Sequence, residues 1–147
     1  MRMRVKRFIN DHPHRARKTV RARASDTIDH ARKHQLVIAG GKFPQDTRFT
    51  IDEGVELNPA TNRVETNPLL LNITATDTYG KKVNLPPNSL TLRIYFAEVE
   101  PPVEETDLVI FHVASAEELD TRIVDGYAEA ELQHLSTYTL AVPFRSQ

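Results

Sequence analysis

In the stretch Leu90-Thr91-Leu92-Arg93-Ile94-Tyr95-Phe96 every even position is apolar, and the odd positions carry Thr, Arg and Tyr. A period of two puts the two sets on opposite faces of an extended chain, which commits the stretch to a half-buried strand. The same alternation sends Leu69, Leu71, Ile73 and Ala75 to one face. It also sets Ala128, Ala130 and Leu132 against Glu129, Glu131 and Gln133. Strands are expected at Leu36–Ala39, Arg48–Leu57, Leu69–Asp77, Leu90–Val99, Asp107–Ala114, Arg122–His134 (with a turn inside it) and Thr137–Val142. The turns carry their own chemistry. Asp125-Gly126 has the residues that a two-residue type I′ hairpin turn needs, since both central positions take positive φ. Asp77–Val83 forms a longer turn around Gly80, and Pro86-Pro87 lacks two backbone donors and so lies outside a central ladder.

About seven short strands in roughly 110 residues predict a mainly β fold, an immunoglobulin-like antiparallel sandwich spanning residues 36–147. The chain's 147 residues suit one such domain and a short appendage. No run approaches the roughly 18 apolar residues of a membrane-spanning helix, so no transmembrane segment is expected. With no cysteine, disulfides, thiolate metal sites and cysteine nucleophiles are excluded. Gly40, Gly41, Gly54, Gly80 and Gly126 are too scattered for a Walker A or dinucleotide-binding loop.

The net charge of −1 conceals a division. Residues 1–34 hold eleven cations, Arg2, Arg4, Lys6, Arg7, Arg15, Arg17, Lys18, Arg21, Arg23, Arg32 and Lys33, against three aspartates, a net of +8. The remainder carries −9. Residues 1–35 are therefore expected as a basic arm with its own role. Within it Ala16, Val20, Ala24 and Ile28 recur at a spacing of four, and a helix starting near Pro13 is predicted. The truncated body, residues 36–147, is expected to fold without the arm. Cations of the arm, Arg2, Arg4, Lys6, Arg7, Arg15, Arg17, Lys18, Arg21 and Arg23, are candidates for contact with phosphate or with another partner. Phe8 is the arm's only aromatic, so base stacking is not expected of it. No secretory signal is read at the N-terminus, where Val5, Phe8 and Ile9 stand isolated among charges.

The ending His134-Leu135-Ser136-Thr137-Tyr138-Thr139-Leu140-Ala141-Val142 resembles the His-Phe-Ser-x-Tyr closing strand of immunoglobulin-like modules in the stalks of Gram-positive bacterial surface proteins, with Leu135 in place of Phe. Asp77–Val83 is similar to their Asp-x-x-Gly-x-x-Val hairpin, and Leu90–Ile94 to the strand after it. The resemblance covers roughly residues 36–143 in arrangement and implies a non-catalytic structural or adhesive module at a cell surface, with a protein partner of unknown identity. It departs from that family at the Arg145-Ser146-Gln147 end, which has no sorting motif. Residues 1–34 have no counterpart in the family, and through them a nucleic acid or nucleoprotein partner is the alternative.

Catalysis is not expected. His134 and Ser136 lack a nucleophile elbow, so the reading kept for them is structural. Both side chains are expected to hydrogen-bond backbone where the chain bends, while Tyr138 packs its ring and its hydroxyl reaches a loop. Asp125 and Gly126 are structural as well. His30 and His34 would share a helix face with Asp26, but a zinc site needs three or four converging ligands, and solvated histidines are expected instead. The acidic run Glu98, Glu100, Glu104, Glu105, Asp107 lacks the spacing of a calcium loop. No cofactor is expected. Lys42 is the amine that an isopeptide crosslink would use, but Thr137–Val142 offers no Asn or Asp to receive it.

Overall fold

The computed structural model describes residues 15–31, 33–58, 60, 62–96 and 108–141, together with the backbone of 4–5 and 99–100. Side chains of 55–58, 64–69 and 141 are outside the description. Every regular element among the described residues is a strand: β1 (Arg4–Val5), β2 (Arg15–Val20), β3 (Asp26–Asp29), β4 (Gln35–Ile38), β5 (Thr47–Asn58), β6 (Arg63–Thr76), β7 (Leu90–Tyr95), β8 (Val99–Glu100), β9 (Val109–His112), β10 (Glu117–Glu118), β11 (Arg122–Val124), β12 (Tyr127–Glu131) and β13 (Thr137–Ala141). They form two antiparallel sheets, ordered β10-β9-β13-β6-β5-β2 and β11-β12-β7-β4-β3, with β1 and β8 paired separately. No described helix is long and apolar enough to cross a membrane.

The inward faces are those that the alternation specifies. Phe49, Ile51, Leu71 and Ile73 of the six-stranded sheet and Leu36, Ile38, Leu92 and Ile94 of the five-stranded sheet are all 1% exposed or less. They belong to one apolar cluster, and each such side chain contributes about 1.5–3 kcal/mol. Asp125 (φ 50°) and Gly126 (φ 83°) both take positive φ between β11 and β12, as a type I′ turn requires.

The predicted N-terminal helix is not formed. Residues 15–20 and 26–29 are instead β2 and β3, the outer strands of the two sheets at the same side of the sandwich. A spacing of four is also a multiple of two, so Ala16 and Val20 share a face of a strand as readily as of a helix. Both are buried against the core, as is Ile28, whereas Ala24 is exposed. What selects the strand is a partner: all six residues of β2 pair with Thr47–Asp52 of β5. Between β2 and β3 the chain reverses in a turn closed by Ala24 N–H to the Arg21 carbonyl at 3.0 Å, with Arg23 at φ 62°. The stretch expected as a separate arm thus supplies one strand to each sheet. Arg2, Lys6 and Arg7 lie outside the described residues, and Arg4 is described only by its backbone, opposite Glu100.

β5 and β6 are longer than their neighbours. Beyond Glu53 the ladder continues from Gly54–Asn67 to Asn58–Arg63, where β5 and β6 have only each other among the described strands. A bulge between Glu53 and Gly54 marks where this ribbon leaves the sheet. A Cβ at Gly54 would come within 2.7 Å of Leu70 Cδ2, so a larger residue there would have to displace the Leu70 side chain.

Candidate functional site

The cations expected to bind a partner divide according to where the strands place them. Arg15 is paired with Asp52, and Lys18 Nζ lies 3.0 Å from Asp26, spanning the open side between the two sheets. The Lys18 hydrogen bond, helped by the Thr27 N–H, holds the Asp26 carboxyl below its ordinary value. A depressed carboxyl stabilises the fold above the unfolded-state pKa and loses that contribution as pH falls through the folded one. Asp26→Asn is therefore expected to lower the denaturation midpoint at neutral pH, with the gap to wild type closing below about pH 4. A gap that does not change with pH would show that the pair contributes nothing.

Arg17, Arg21 and Arg23 are exposed, and the fold brings other cations to two of them. The Arg21–Ala24 turn is tied to the loop before β5 by Arg23 N–H to the Phe43 carbonyl (2.7 Å), Gly41 N–H to the Arg23 carbonyl (2.9 Å) and Ala22 N–H to Asp46 Oδ1 (2.8 Å). This sets Lys42 beside Arg23. The register Thr19↔Arg48↔Thr76↔Lys82 then runs across the same end of the sheet. Arg48 and Lys82 are two strands apart, about 10 Å. Next to them the Asp77–Lys81 turn closes through Asp77 N–H to the Lys81 carbonyl, with Gly80 at φ 79° and Tyr79 at its tip, 87% exposed.

This pole of the sandwich therefore gathers Arg21, Arg23, Lys42, Arg48, Lys81 and Lys82, all exposed. The two acids in its turns accept backbone N–H groups: Asp46 accepts from Ala22, and Asp77 Oδ1 accepts from Tyr79 and Lys81 at 2.8 and 3.0 Å. Only Arg21 and Arg23 were among the candidates of the sequence. The other four cations stand up to 61 positions away in the chain, and only strand register shows that they meet.

The closing segment is a structural lock. Tyr138 is 1% exposed, and its hydroxyl donates to the His134 carbonyl at 2.5 Å, four residues upstream. Burial raises the pKa of its phenol. The Ser136 carbonyl accepts the Ile73 N–H at 2.9 Å, which fastens the bend before β13 to β6. The His134 ring, on an exposed residue, lies 5.3 Å from that of His112. Tyr138→Phe keeps the ring and removes one hydrogen bond, so a loss of about 1 kcal/mol in chemical denaturation is expected. No change in the midpoint would remove this role.

His30 and His34 are not the solvated pair expected. They are 4% and 2% exposed, and their rings stack at 5.4 Å. The alternation that points Ile28 inward carries His30 inward too. His30 Nε2 lies 3.8 Å from Oε1 of Glu53, with both side chains fully buried, while His34 Nδ1 accepts the Tyr95 N–H at 3.0 Å. Among the described residues no three His, Cys, Asp or Glu side chains converge on a metal-binding geometry.

On the outer face of the five-stranded sheet one polar row crosses all five strands. Asp29 accepts from Gln35 (2.8 Å), Gln35 from Arg93, and Glu129 from both Arg93 (3.1 Å) and Arg122 (2.8 Å). Beside it the Tyr95 and Tyr127 rings meet at 5.1 Å, under Lys33 and Arg93 respectively. The row's charges answer one another, which makes it a brace across the sheet.

No protein-family model, curated protein or solved structure matches this chain.

Proposed function

We propose that this chain is a non-catalytic interaction module whose contact surface is the basic pole and whose partner is a polyanion. The observation that carries the reading is the convergence of six exposed cations from four segments at one end of the sandwich, beside acids that accept backbone N–H groups. Such a field concentrates anionic partners and speeds their arrival.

The resemblance to bacterial surface modules is supported by the two-sheet sandwich and by the Tyr138–His134 lock, which is of the tyrosine-corner kind. The strand order qualifies it. β6 pairs with β13, and β7 with β12, a nested arrangement of rolled sandwiches. Immunoglobulin domains place strand B beside E and C beside F. Strand directions also favour an interaction role over a serial spacer. The chain enters the six-stranded sheet at Arg15 and leaves it at Ala141, both toward the end from which the β5–β6 ribbon extends.

Retention on immobilised heparin tests the proposal. Wild type is expected to elute at clearly higher salt than Lys81→Glu/Lys82→Glu. The pair Arg63→Glu/Arg122→Glu, which changes total charge equally but lies away from the pole, is expected to elute close to wild type. Equal loss in both pairs would reduce the effect to net charge and end the reading.

A further inference from the structure

The pole carries one group that a plain anion does not need. Tyr79 is 87% exposed at the tip of a turn whose backbone is fixed by two N–H bonds to Asp77 Oδ1. The turn also bridges back to the sheet through Thr76↔Lys82 and the Val83 N–H to the Ala75 carbonyl at 3.1 Å. A large ring presented on a rigid support, flanked by Lys81 and Lys82, combines a stacking platform with phosphate contacts. Those are the two components of single-strand binding. We infer that the basic pole binds single-stranded nucleic acid, with a base stacked on Tyr79 and the backbone phosphates held by Lys81, Lys82, Arg48 and the Arg21–Arg23 turn.

A duplex offers phosphates but keeps its bases stacked, so it gains nothing from Tyr79. A lipid surface offers phosphates too, but among the described residues the pole presents a single large ring to it, and one ring buries little area in an interface. The inference rests on the polyanion reading for the cations and adds the ring's role to it.

Fluorescence anisotropy of labelled oligothymidine, of a labelled duplex and of vesicles containing phosphatidylserine separates these cases, using the full chain. Oligothymidine is expected to bind with a log–log salt slope approaching about −4 if all six cations engage phosphate. Tyr79→Ala is expected to weaken oligothymidine binding about tenfold and to leave duplex binding unchanged. Lys81→Glu/Lys82→Glu is expected to weaken both. Equal effects of Tyr79→Ala on duplex and single strand, or none on either, overturn the stacking role while leaving the heparin result standing. Binding to the vesicles without binding to oligothymidine assigns the pole to membranes and overturns the inference. Loss of heparin retention specificity removes the polyanion reading itself, so the two failures are distinguishable. Far-UV circular dichroism of each variant confirms that the turn substitutions leave the sheets intact.

Discussion

Deleting residues 1–35 is expected to abolish cooperative unfolding of the remainder. The deletion removes β2 from one sheet and β3 from the other, together with the buried Ala16, Val20 and Ile28. Burial of Val20 and Ile28 alone contributes about 1.5–3 kcal/mol each. Six paired residues along β5 and three along β4 also lose their partners, and Gln35 of β4 is itself removed. The total is a large part of the roughly 5–15 kcal/mol by which a domain is stable. The deletion further exposes the edge of β5, whose inward residues include Phe49 and Ile51, as a template for aggregation. Thermal unfolding followed by near-UV circular dichroism should show no sigmoidal transition for residues 36–147. A transition at or near that of the full chain would mean that the first two long strands are dispensable. The consequence for binding studies is practical: the basic residues are to be probed by substitution in the intact chain.

The second large effect is expected at the buried pair between the sheets. Glu53 is 3% exposed, and its carboxylate lies 3.8 Å from His30 Nε2. Removing one partner of a buried polar contact leaves the other group desolvated without that contact, which typically costs about 1–3 kcal/mol. His30→Ala and Glu53→Ala should each show a loss in this range in urea denaturation. The double variant should lose much less than their sum, because the two substitutions remove one shared interaction. Additive losses would show that the two side chains act independently. Replacing both with apolar residues of similar volume is expected to restore part of the stability.

Much of the fold was legible because a half-buried strand writes its period directly into the sequence. Leu90–Phe96 and Tyr127–Leu132 place every apolar residue inward, and Asp125-Gly126 marks its own turn. The helix prediction failed where the pattern was ambiguous: Ala16, Val20 and Ile28 satisfy both periods, and only the partner strands, β5 for the first two and β4 for Ile28, decide between them. The same error hid His30, whose inward direction follows from Ile28 once the segment is extended. The first half of β6 was missed because Pro68 and the polar residues Glu65 and Asn67 interrupt any apolar alternation. The basic pole was legible only in part. Charge counting found Arg21 and Arg23, but Lys42, Arg48, Lys81 and Lys82 sit in a chain segment whose overall charge is negative. Their meeting depends on the register of β2, β5 and β6, which is a long-range property.

The position of β13 sets the order in which this molecule can be made. It lies between β9 and β6, so the six-stranded sheet stays in two pieces until Thr137–Ala141 has left the ribosome. Until then the nascent chain holds β6 with an unfilled side and β9 with no neighbour among the described strands but the two-residue β10. Closure depends on a late contact between distant segments, which makes it slow and leaves the unpaired edges open to wrong partners in the meantime. Synthesis that pauses shortly before residue 137 would prolong that interval, and a chaperone that shields the edges of β6 and β9 would shorten its consequences.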